Sequence, residues 1–144
     1  MQRQMAGAAV VLASMQLALI ACGGKSPTAP IISAAAAPFV GTWQNFGAEP
    51  QMDRIDISIP YGNLVIHEWG HCHPVNCDVG ERSFDQAKIT NGVLPIQWNS
   101  GFKVMTQALR IDASGQLELS VHNHFIDDSG RADYDFLEML TKVK

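Results

Sequence analysis

From Arg54 onward the chain alternates strictly, with Ile55, Ile57 and Ile59 at one parity and Arg54, Asp56 and Ser58 at the other. Successive side chains of an extended strand point to opposite faces, so this period predicts a strand with one apolar and one wet side. The stretch Gln116 to Phe125 repeats the rhythm, setting Leu117, Leu119, Val121 and Phe125 against Glu118, Ser120, His122 and His124. Leu94, Ile96 and Trp98 form a shorter example, and 102–111 a longer, less regular one rich in Val, Thr and Leu. Turn-forming clusters separate the runs, among them Tyr61-Gly62-Asn63, Asn91-Gly92, Asn99-Ser100-Gly101, Ala113-Ser114-Gly115 and Asp127-Asp128-Ser129-Gly130.

This punctuation predicts strands near 40–46, 54–60, 64–72, 80–89, 93–98, 102–112, 116–126 and 133–143. Short connections between nearly all of them imply an antiparallel up-and-down meander. Eight such strands are best satisfied by closing the sheet into a small barrel, which removes exposed edges. The expected fold class is therefore all-β. The last segment admits a second reading, because Tyr134, Leu137, Met139 and Leu140 would also suit a short amphipathic helix packed on the barrel.

The N-terminal region follows different rules. Arg3 gives a positive start and Met5 to Ala21 an apolar run softened by Gly7, Ser14 and Gln16. That run is short for a spanning helix, which needs about 20 apolar residues, and reads as an export signal. Leu19-Ile20-Ala21-Cys22 resembles the bacterial lipobox, in which the cysteine sulfur receives a diacylglycerol before cleavage. The resemblance implies a signal peptide at 1–21, a mature chain beginning at lipidated Cys22 and attachment to a membrane through its acyl chains. Gly23 is not the Asp associated with inner-membrane retention, so the implied place is the outer membrane, facing the periplasm. A simple cleaved secretory signal, or an uncleaved anchor, is the competing reading. Residues 22–38, with three prolines and many small side chains, read as a lipidated cysteine and flexible linker. The folded domain is then expected at 39–144.

Gly41-Thr42-Trp43 on the first predicted strand resembles the G-x-W opening of the calycin superfamily, the lipocalins and avidins. Membership would imply that Trp43 plugs the closed end of the barrel. The chain is far shorter than true lipocalins, and Trp69 and Trp98 do not align with the avidins' biotin-stacking tryptophans, so biotin binding does not carry over. The segment from His67 to Gly80, with His122-x-His124-Phe125, is also similar to a small domain of uncharacterised secreted bacterial proteins, which brings no activity with it.

Composition narrows the functional classes. At 144 residues, 47% hydrophobic and 17% charged, the chain holds one domain, and a net charge of −4 without a basic cluster argues against nucleic acid as a partner. With Cys22 lipidated, Cys72 and Cys77 remain, and in an oxidising compartment they are expected to form a disulfide pinning the turn between strands three and four. His67-Glu68-Trp69-Gly70-His71 matches the H-E-x-x-H of zinc peptidases, where a helix places both imidazoles on one ion. Here the context predicts a strand, on which positions 67 and 71 lie about 13 Å apart and Glu68 points to the other face. No catalytic residue is therefore assigned.

The expected function is non-catalytic binding, of a small apolar ligand in the barrel or of an envelope protein at its open end. Trp43, Trp69 and Trp98 are the candidate ligand contacts, although barrel packing is the favoured account of them. A histidine-rich metal site built from His67, His71, His73, His122 and His124 is the alternative, with zinc as its ion, and a zinc hydrolase using His67-Glu68-x-x-His71 the more distant one. The parity of Leu117, Leu119 and Val121 turns His122 and His124 toward solvent unless a bulge inverts the register.

Overall fold

The computed structural model describes residues 31–144. Eight antiparallel strands form one sheet: Gly41–Gln44 (β1), Met52–Ser58 (β2), Leu64–Gly70 (β3), Cys77–Phe84 (β4), Val93–Asn99 (β5), Lys103–Ile111 (β6), Leu117–Phe125 (β7) and Tyr134–Lys142 (β8). The spatial order is β4-β3-β2-β1-β8-β7-β6-β5, so the first and last strands pair and the sheet curls as a meander. Trp43 faces Lys142 and Gln44 faces Thr141 across that junction. The C-terminal segment is thus a strand and not a helix, because it supplies the partner β1 needs to complete the curl.

Closure is uneven around the wall. No ladder joins β4 to β5, the two ends of the strand order. Side chains meet there instead: the Arg82 guanidinium lies 4.8 Å over the Trp98 ring. Gly80, at φ +121, sits so close that an added Cβ would stand 3.3 Å from that indole. The sequence disfavours a ladder at this place. β5 carries Pro95, which has no N–H to donate and is confined to edge strands, and the connection between β4 and β5 contains a separate 3-10 turn at Gln86–Lys88.

The turns follow their side chains. Asn91 and Gly92, at φ 52 and 75, make the two-residue hairpin turn that favours Asn-Gly. Asp112 caps the β6–β7 turn by accepting from the backbone N–H of Ser114 and of Gln116, each at 2.9 Å.

Inward positions of neighbouring strands form cross-strand rows. Leu94, Leu109 and Leu119 make one row, and Ile111, Leu117 and Leu140 another. These rows, with Trp43, Ile57, Leu64 and Phe39, fill one end of the barrel. Trp43 is 1% exposed and its indole N–H donates to the Phe39 carbonyl at 2.7 Å.

Packing begins before Phe39. Ala36 is fully buried, and Gln86 holds the preceding residues by accepting from the Ser33 N–H at 2.7 Å and donating to the Ile31 carbonyl at 2.8 Å. Within residues 33–38, assigned to the flexible linker on composition, Ser33 and Ala36 are therefore held in place, while Ala34, Ala35, Ala37 and Pro38 stay exposed. The expected signal peptide and Cys22 lie outside the described residues.

Candidate functional site

The other end of the barrel is polar. On β3 the inward parity passes from Leu64 and Ile66 to Glu68, on β6 it includes Gln107, and on β7 it runs Leu117, Leu119, Val121, Asn123. Glu68 and Asn123 are fully buried and Gln107 is 1% exposed. β3 lies on the β4 side of the seam and β6 and β7 on the β5 side, and a short network spans the interior. The Gln107 amide donates to Glu68 Oε2 at 2.9 Å, and Gln107 Oε1 accepts from the Trp98 indole N–H at 3.1 Å. Burial pushes the Glu68 carboxyl up to about 7, with partial relief from the hydrogen bonds of Gln107 and Trp98. Its second oxygen has no protein partner.

Above Gln107, a cavity of about 390 Å³ opens between the ends of the strands. Its walls include Met52, Met105, Tyr134 and Phe136, and its rim carries His71 and the Cys72–Cys77 disulfide. The bridge, with Cα atoms 5.5 Å apart, ties the end of β3 to the start of β4. Asn123 also lines the cavity, and neither its amide nitrogen nor its carbonyl oxygen has a hydrogen-bond partner in the protein. Lys103, at the inward parity of β6, stands at the mouth. Partial burial lowers its pKa, and the positive charge of Arg131 lowers it further.

The tryptophans occupy three different environments. Trp43 plugs the apolar end, and Trp98 bridges the seam. Trp69 lies on the outer face, stacked on His67 with ring centroids 3.8 Å apart and capped by Arg54 at 3.7 Å. None of the three lines the cavity.

The histidines are also dispersed. His67 points outward from β3 and lies 2.8 Å from Asp78 on β4. His71 lies 3.9 Å from Asp53, and His73 contacts the Cys72 carbonyl. His122 and His124 point outward from β7, each 2.7 Å from its own carboxylate, Asp135 and Asp133 respectively. Among the described residues no three His, Cys, Asp or Glu side chains gather as a metal-binding group. Glu68 points into the barrel and His67 outward on a segment that stays extended through Gly70, the strand geometry expected from the surrounding sequence, while His71 lies beyond the strand end at the cavity rim.

Lys103, Asn123 and Gln107 escaped the reading of the sequence, although its parity carried the signal. Extending Leu117, Leu119, Val121 by two places puts an asparagine inside a barrel, where an apolar residue is the default. No family model, no curated protein and no solved structure matches the chain.

Proposed function

We propose that this protein is a lipid-anchored envelope protein, calycin-like in its architecture, that binds a small molecule at the open end of its barrel without transforming it. The observation that carries this reading is the cavity of about 390 Å³ with fully buried, unpartnered Asn123 in its wall. An unsatisfied buried amide costs about 1–3 kcal/mol, and native proteins retain few of them. A ligand with a complementary polar group recovers that cost. Pockets of this size with apolar walls and a few convergent polar groups are the usual form of a small-molecule site. The anchor rests on the lipobox at Cys22, and among the described residues no helix is long and apolar enough to cross a membrane.

A thermal-unfolding screen of the purified protein against compounds of up to roughly a dozen non-hydrogen atoms tests the binding. A ligand at a hundred times its Kd is expected to stabilise the fold by about 2.7 kcal/mol. Met105→Trp, which fills the cavity, is expected to abolish that shift. A library without a single stabilising member would favour a scaffold role for the outer surface. Palmitate labelling lost on Cys22→Ala checks the anchor.

A further inference from the structure

The chemistry of the cavity wall selects among ligands, an inference that rests on the binding function proposed above. Besides Nδ1 of His71 at the rim, the polar groups offered to an occupant without a protein partner are few. Asn123 presents both atoms of its amide. Lys103 presents an ammonium at the mouth, and among the described residues no carboxylate lies within 4.0 Å of it. The other charged member of the lining, Asp78, is engaged by His67 at 2.8 Å. Around these groups stand Met52, Met105, Tyr134 and Phe136, an apolar and aromatic enclosure.

We infer that the cavity takes a small organic acid with an apolar or aromatic body, its carboxylate held by Lys103 and by the amide N–H of Asn123. Lys103 is partly withdrawn from water and faces the like charge of Arg131. A bound anion offsets both penalties at once, whereas a cationic ligand would add to them. At about 30 Å³ per non-hydrogen atom, the cavity accommodates roughly a dozen such atoms, the size of a phenyl-substituted short-chain acid. The Asn123 carbonyl oxygen remains free to accept from a hydroxyl or amide N–H carried beside the carboxylate.

Three probes of matched skeleton test the assignment: phenylbutanoate, phenylbutanamide and phenylbutylamine, titrated into the full chain and followed by calorimetry and by the side-chain amide signal of Asn123. Phenylbutanoate is expected to bind at least tenfold more tightly than the amide, with the amine weakest, and to shift the Asn123 signal. Lys103→Met is expected to remove the preference for the acid over the amide, and Lys103→Arg to keep it. Equal binding of acid and amide, or a preference that survives Lys103→Met, would overturn the assignment and leave the binding function intact. Should none of the probes bind or move the Asn123 signal, the assignment falls, and a compound from the wider screen that still stabilises the fold would preserve the binding function alone.

Discussion

The two ends of the barrel are built from the same strands by opposite rules. At the closed end each inward position is apolar, and the indole of Trp43 has its one donor satisfied by the Phe39 carbonyl. At the open end the same inward parities carry Glu68, Gln107 and Asn123, and half of their hydrogen-bonding capacity faces no protein partner. Burial of apolar surface stabilises a fold at about 25 cal/mol per Å², whereas each unpaired buried polar group opposes it. The closed end therefore supplies stability, and the open end gives some of it up. Native proteins keep few such groups, which is why the proposed binding function is placed at the open end.

The largest effect expected from this contrast is at the closed end. Trp43→Ala removes a fully packed indole and should cost about 3–5 kcal/mol in urea denaturation. A loss below about 1 kcal/mol would show that the plug is not what stabilises the fold. At the open end the corresponding probe is pH. Glu68 has a folded-state pKa raised from 4.5 to about 7, so between those values the folded chain holds a proton that the unfolded chain has released. Stability should then fall as pH rises through that window and level off above it, by about 3 kcal/mol in all. Glu68→Gln should flatten the slope, and a slope unchanged in that variant would assign the effect elsewhere. The smallest effect has the opposite sign. Asn123→Leu removes an unpaired amide from the interior and should raise stability by about 1 kcal/mol, while weakening phenylbutanoate. Destabilisation with binding retained would make Asn123 a structural residue and erase the contrast.

Much of the architecture was legible because a half-buried strand writes its two faces directly into the chain. Ile55 and Ile57, or Leu117, Leu119 and Val121, announce both the strand and the side that is buried. The same alternation placed His122 and His124 in solvent. Tyr134 to Lys144 was ambiguous because Leu137 and Leu140 also share helical spacing, and only pairing with both β1 and β7 decides it. The site was harder to see. Glu68, Gln107 and Asn123 interrupt the apolar alternation and resemble ordinary surface residues until the curl of the sheet turns them inward. Tryptophan drew attention as a ligand contact, yet its bulk serves packing in three separate places here, and the cavity is lined by methionine, tyrosine and phenylalanine instead.

Where β4 runs beside β5, one indole resting on a bare glycine takes the place of a row of amide-to-carbonyl links. Parting the strands along that line breaks contacts that are individually weak and leaves the rest of the wall intact. Along this line the wall is held by side chains alone, so a substitution at Gly80 or Trp98 alters its closure without touching a ladder.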